Sequence, residues 1–351
     1  MKRVLTIVLL VLAGLVVAPG GTAGAHPAPL SWRLSPTGTD AQLRGLSVVS
    51  RHVAWASGAR GTVLRTVDGG RTWKQVGPPD TATLDFRDIE AFDARNAVAL
   101  SIGNGEDSRI YRTTDGGATW TETFRNTEPA AFYNCVAFFD KHHGLATGDP
   151  VEGEFRVLST SNGGRSWQRV PGEGIPPALD GEFEFSASGQ CITVAGKKDA
   201  WIATGGSTVA RVLHSADRGR TWTASDTPLL SNPSAGVFAV AFRTPRQGIA
   251  IGGDFLNPTG GEDNLALTSD AGRTWREPAN SPRGYRSAVV YHPFLRSLLI
   301  AVGPTGSDVS LDGGRRWRQF DDGTFDSVGC GRDGACWASG AQGRVATLQI
   351  G

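Results

Sequence analysis

The chain is poor in the residues and patterns by which most enzyme classes show themselves. Its 351 residues include one methionine, four tyrosines, four cysteines and six histidines. The histidines, at His26, His52, His142, His143, His214 and His292, follow no metal-binding spacing, and no His-Glu-x-x-His occurs. There is no Gly-x-Ser-x-Gly elbow, no P-loop and no glycine fingerprint opening a helix, so no cofactor is expected. The acidic loops lack an EF-hand or nonapeptide calcium pattern. An excess of charge is also missing. With 35 basic against 34 acidic residues the net charge is +1, which offers no electrostatic footprint for nucleic acid. Past the N-terminus no apolar run approaches roughly 18 residues, so no integral membrane segment is expected in the mature chain.

What is present begins with an export signal. Lys2 and Arg3 precede an apolar run, Val4 to Val17, that is short for a bilayer span, and Ala23-Gly24-Ala25 offers small residues for cleavage. Residues 1–25 are read as a secretory signal peptide of the Sec type and 26–351 as the mature chain. A secreted, periplasmic or cell-envelope location follows, and a monomer is expected.

The 47 glycines accompany a repeated phrase. Its copies are Thr66-Val-Asp68-Gly-Gly-Arg-Thr-Trp73, Thr113-Thr-Asp115-Gly-Gly-Ala-Thr-Trp120, Thr160-Ser-Asn162-Gly-Gly-Arg-Ser-Trp167, Ser215-Ala-Asp217-Arg-Gly-Arg-Thr-Trp222, Thr268-Ser-Asp270-Ala-Gly-Arg-Thr-Trp275 and Ser310-Leu-Asp312-Gly-Gly-Arg-Arg-Trp317. A period of roughly 40–55 residues fits one four-stranded blade of a propeller. In the first unit Leu46–Val49, Val53–Ala56, Thr62–Arg65 and Thr72–Val76 alternate as short strands between turns. A seventh unit, from Phe325 to Leu348, stops one strand short. Ser31–Ser35, with Trp32, supplies that strand and closes the ring. The reading is an all-β, seven-bladed propeller, and a six-bladed ring with an extra hairpin is the alternative.

The phrase resembles the Asp box, or BNR repeat, of sialidases, xyloglucanases, sortilin-type receptors and the photosystem II assembly-factor propellers. Physically, the carboxylate accepts hydrogen bonds from its own turn, glycines supply positive φ, and the tryptophan packs the blade. Asp68, Trp73, Asp115, Trp120, Asn162, Trp167, Asp217, Trp222, Asp270, Trp275, Asp312 and Trp317 are therefore read as structural. The drift to Asn162 and Arg316 suits a turn better than an active site.

The opposite rim is where a site belongs. Aligned first strands place Arg44, Arg87, Asn134, Gln190, Phe238, Arg286 and Asp326 in a polar ring near the channel mouth. Arginines there suit a carboxylate, sulfate or phosphate, and a set of structural salt bridges is the competing reading. Tyr285 lies beside the ring, and Asp149 and Asp254 end strands in neighbouring loops. The insertions Pro171–Ser188 and Phe255–Asn264 should roof the same face. Of the cysteines, Cys330 and Cys336 are expected to form a disulfide across a hairpin. Cys135 and Cys191, equivalent on neighbouring strands, should point in the same rotational sense, which makes their pairing less natural and leaves free, buried thiols as the reading beside a disulfide.

Two functions fit. The first is a non-enzymatic binding or assembly propeller for an anionic ligand or a protein partner, as resemblance to the assembly-factor family implies. The second is a glycoside hydrolase of sialidase- or xyloglucanase-like type acting on extracellular glycans. Arg44, Arg87 and Arg286 imitate a sialidase arginine triad, but the Phe-Arg-Ile-Pro opening is missing and sialidases have six blades. Xyloglucanases of this kind use two propellers, and this chain holds one. A carbohydrate ligand belongs to this second reading, in which two carboxylates about 5–9 Å apart would act as acid and base.

Overall fold

A computed structural model of the protein describes residues 30–351. The expected signal segment and the mature start near His26 lie outside the described residues. The fold is all-β, with seven antiparallel sheets around one axis, six of four strands and one of three. The innermost strands are Leu43–Val48, Asp85–Ala91, Tyr133–Phe138, Ile192–Ala195, Ala235–Thr244, Ala288–Tyr291 and Ser327–Cys330, and they number the blades one to seven. In blade five the outer strand shrinks to a bridge between Leu267 and Arg276.

Blade seven closes as the sequence implies. Leu30–Ser35 pairs antiparallel with Val345–Ile350, from Leu30 opposite Ile350 to Ser35 opposite Val345. The Trp32 indole N–H donates to Ser307 Oγ of blade six at 2.9 Å, so the closing strand also fastens two blades together.

The core lies between blades. Second strands such as Ala54–Gly58 are buried along their whole length, because a neighbouring blade covers each face. Trp55 of blade one meets Trp120 of blade two edge-on at 6.4 Å, and Trp337 meets Trp73 at 5.9 Å. Trp201 stacks on Phe242 of the next blade at 3.6 Å. Full burial of such side chains supplies about 2–3 kcal/mol each.

Each repeated phrase is a self-contained turn after the third strand. Asp68 Oδ1 accepts from the Thr72 N–H at 3.0 Å and its Oδ2 from the Thr72 hydroxyl at 2.6 Å. Thr66 Oγ1 accepts from Gly70 N–H at 2.9 Å. Chiefly through the hydroxyls donated by Thr72, Thr119 and Thr274, the carboxyls of Asp68, Asp115 and Asp270 are held down to about 2. Asn162 preserves the turn, accepting from Ser166 N–H and donating to Ser166 Oγ at 2.9 Å. Arg218 and Ala271 hold the first-glycine position with φ of 65° and 71°, so the turn imposes that conformation even where glycine is absent.

Both cysteine pairs are disulfides, Cys330–Cys336 as expected and Cys135–Cys191 although its pairing was the less natural one. Same-sense side chains are required only of residues held in regular strands. Cys135 lies within a strand, but Cys191 precedes Ile192–Ala195 and follows Gly189, whose φ is 72°. Freed from the strand's alternation, Cys191 meets Cys135 at a Cα separation of 6.0 Å. Two disulfides suit an oxidising compartment such as the cell exterior or periplasm. No helix among the described residues is long and apolar enough to cross a membrane.

Candidate functional site at the channel mouth

Four first strands are irregular at one shared position. The register shifts between Leu43 and Gly45, Phe86 and Asp88, Tyr133 and Cys135, and Val237 and Ala239. The extra residues are Arg44, Arg87, Asn134 and Phe238. A bulge takes its residue out of strand alternation and re-aims the side chain. In the other three blades Gln190, Arg286 and Asp326 precede the regular strand instead.

Hydrogen bonds cross between blades behind this ring. Gln190 Oε1 accepts from Val289 N–H, and its Nε2 donates to Val328 O, both at 2.8 Å, so one amide reaches from blade four to blades six and seven. Ser188 Oγ donates to Ser287 O at 2.7 Å, and Ser327 Oγ donates to Ser188 O at 3.1 Å. Arg87 Nη1 donates to Ser186 O at 3.1 Å. The end of the long insertion before blade four thus roofs the channel, and its outer face is the floor of the mouth. The second insertion joins it, because Tyr285 N–H donates to Pro258 O at 3.0 Å.

On this floor stands an aromatic cluster. Phe185 stacks on Phe238 at 3.9 Å, and Phe238 meets Tyr285 at 4.6 Å. Beside it Phe255 is 46% exposed and Leu256 75% exposed. Burial pushes the Tyr285 phenol above its usual range, with Arg44 opposing. Burial also raises the Asp326 carboxyl against the pull of Arg44, the Gln42 amide and Arg87. Arg44 and Arg87 therefore share one electrostatic neighbourhood with Tyr285 and Asp326. Arg87 is paired with Asp85 at 2.8 Å. Arg44 makes no salt bridge among the described residues, and its buried Nε has no hydrogen-bond partner.

The other ring members are committed elsewhere. Arg286 is fully buried. Its Nε and Nη2 bind Asp308 Oδ2 at 2.7 and 2.5 Å, and its Nη1 donates to Tyr285 O and Thr305 Oγ1 at 2.9 and 2.7 Å. It belongs to a structural salt bridge and does not reach the mouth. Asn134 Nδ2 donates to Asp149 Oδ1 at 2.8 Å, and the same oxygen accepts from Glu184 N–H at 3.0 Å. Burial lifts the Asp149 carboxyl to about 6. Asp254 Oδ1 accepts from Leu256 N–H at 2.9 Å and so braces its own loop. The ring thus resolves into a mouth with Arg44, Arg87, Asp85, Asp326 and the aromatics, and a separate buried carboxylate cluster around Asp149.

The sequence alone did not single out two residues of that cluster. Glu184, 3% exposed, accepts from Thr147 Oγ1 at 2.7 Å, and burial together with the nearby Asp149 charge raises its carboxyl well above the usual range. Glu182 forms a buried salt bridge with Arg211 at 2.5 Å. The alternation Glu182-Phe183-Glu184-Phe185 was the available signal, and both glutamates are buried along with Phe185. Among the described residues no three His, Cys, Asp or Glu side chains group as a metal cage.

No family model and no curated protein sequence matches this chain. Solved structures do share its fold. YCF48 bound to D1 peptide aligns with a TM-score of 0.64 at 16% identity, over 93% of this chain and 98% of that one. YCF48 from Cyanidioschyzon merolae aligns with a TM-score of 0.64 at 17% identity, over 91% and 98%. The GH74 xyloglucanase from Xanthomonas campestris aligns with a TM-score of 0.61 at 16% identity, over 91% of this chain and 53% of the enzyme. The chain therefore has the propeller plan of YCF48 and spans about half of that xyloglucanase. At these identities the likeness is one of fold.

Proposed function

We propose that this chain is a non-catalytic binding propeller whose channel mouth captures a protein segment bearing a carboxylate. The observation that carries the reading is Arg44, a mouth guanidinium without an ion pair, beside Arg87 and an aromatic floor ending in exposed Phe255 and Leu256. Guanidinium takes a carboxylate bidentately, and the aromatic and aliphatic groups take the neighbouring side chains. Behind these groups the Gln190 amide ties blade four to blades six and seven and holds the ring together, and an extended peptide laid over the mouth would meet the arginines and the exposed apolar groups at once. That a YCF48 propeller of the same plan is bound to a D1 peptide supports a peptide as the ligand class. Export to the envelope or exterior, as the N-terminal signal suggests, would put that partner outside the cytoplasm.

The test is an array of random octapeptides with free or amidated C-termini, probed with wild type, Arg44→Gln and Arg87→Gln. Binding enriched in acidic or free-carboxylate peptides and lost in Arg44→Gln is expected. Binding indifferent to both arginines would sink the proposal.

One observation favours the hydrolase reading. The Asp149 carboxyl, raised by burial to about 6, lies in one buried cluster with the Glu184 carboxyl, so two acids are near each other as a glycosidase needs. Release of reducing ends from xyloglucan or a sialoside, abolished by Asp149→Asn, would establish it.

A further inference from the structure

The rim opposite the mouth is uneven in a way that neither the repeat nor the proposed site requires. Nine large apolar side chains are exposed among the described residues, and six of them fall in one sector formed by blades six, seven and one, five at this rim and Leu34 further along the closing strand, opposite Ala346. They are Phe294 at 64%, Leu34 at 59%, Ile350 at 56%, Val67 and Leu295 at 51% and Leu311 at 50%. Val67 and Leu311 occupy the second position of the repeated phrase, where other copies carry Thr114, Ser161, Ala216 and Ser269. The apolar character is thus local to this sector, while the turn itself is common to the ring. Phe294 and Leu295 lie in the connection Pro293–Ser297, exposed throughout, and form one groove with Leu30, Leu298, Leu311 and Ile350. An apolar patch of this kind on an otherwise polar rim marks a contact surface.

Its exposed basic groups outnumber its acidic ones. Arg296 and Arg318 line the groove, and Arg33, Arg71, Arg315 and Arg332 are exposed around it. None of these six forms a salt bridge among the described residues. The acids of the sector are already engaged. Asp68 and Asp312 accept hydrogen bonds within their own turns, and Asp333 is paired with Arg51 at 3.2 Å. The chain also enters the described structure here. Leu30, the first described residue, is a wall of the groove.

We propose that this sector docks on an anionic lipid surface. Phe294, Leu295 and Leu311 enter the headgroup layer and the unpaired arginines meet lipid phosphate. Apolar area and basic charge together are what interfacial binding requires, and each cation near such a surface adds a comparable increment. Held in this way, the propeller turns its mouth away from the membrane, free to receive a partner. Blades two to five bring no exposed large apolar side chain to this rim, which fixes the tilt.

The experiment is flotation of the full chain with vesicles of phosphatidylglycerol and phosphatidylcholine, or of phosphatidylcholine alone. All variants carry the same N-terminus, so its own lipid affinity cancels. Wild type is expected to float with the anionic vesicles and to be released by salt. Phe294→Ser with Leu295→Ser, and separately Arg296→Glu with Arg318→Glu, should each weaken partitioning roughly tenfold or more. Since these positions are exposed, an unchanged melting temperature would show that folding is intact. Equal flotation of wild type and both double variants overturns the proposal, as does preference for neither vesicle. A concentration-dependent dimer in ultracentrifugation, abolished by the apolar double variant, would assign the groove to a second copy and overturn it as well.

Discussion

Arg286→Ala should destabilise the fold rather than empty its site. The guanidinium is fully buried and bridges Asp308, Thr305 and the Tyr285 carbonyl, so truncation strands a carboxylate that is itself 1% exposed. Removing one partner of such a pair costs about 3–5 kcal/mol, most of it from the charge left behind. Burial already pushes the Asp308 carboxyl up, with Arg286 the main opposing pull. Without Arg286 that carboxyl rises further, so the loss should be largest near neutral pH and shrink in acid, where Asp308 takes up a proton. Arg286→Met with Asp308→Leu should recover most of the loss, because an apolar pair of similar volume needs no compensation. Urea unfolding at neutral and acid pH of the two single variants and the pair makes a double-mutant cycle. A loss below about 1 kcal/mol for Arg286→Ala, accompanied by loss of peptide binding, would refute this reasoning and return Arg286 to the mouth.

Three further outcomes follow from the geometry. The Cys135–Cys191 disulfide closes a separation of 56 residues against 6 for Cys330–Cys336, so its replacement by alanines should cost about 4 kcal/mol against about 2 by loop entropy, readable in denaturant midpoints. The folded-state value for Asp149, about 6, lies above the usual 3.8, so the cost of ionising it is absent below about pH 4, grows between 4 and 6 and is complete above 6. Asp149→Asn should therefore stabilise the fold by about 1–3 kcal/mol at pH 7 and by nothing near pH 3.5, and stabilisation independent of pH would contradict the assignment. In the repeated turns the sign is opposite. Asp68, Asp115 and Asp270 are held at about 2, so their support is present above about pH 4 and lost as pH falls through 2, whereas the Asn162 turn does not titrate. Hydrogen exchange in strong acid should release the Thr72, Thr119 and Thr274 amides before that of Ser166.

The architecture was legible because its signals are local. A turn whose aspartate, hydroxyls and tryptophan all act within eight residues reads the same in six places. Trp32 carried the mark of an outer strand although its partner lies at the far end of the chain. The site was less legible, because it depends on register. Arg44, Arg87 and Arg286 look alike in an alignment of first strands. Two of them sit at bulges facing the mouth, and the third precedes its strand and turns into the protein. The pairing of Cys191 was obscured for the same reason, since the residue lies just off the ladder that was used to orient it. Glu182 and Glu184 were hidden because burial of a glutamate requires partners, Arg211 and Thr147, that only the fold brings near.

The central claim is that the channel mouth receives a protein partner. It is tested most directly by placing a photo-crosslinking amino acid at Phe255 on the mouth or at Ser161 on the opposite rim, in the cell that produces the protein. A discrete protein adduct from position 255, absent from position 161 and lost when Arg44→Gln is added, is the predicted result. Adducts from 161 and none from 255 would contradict it.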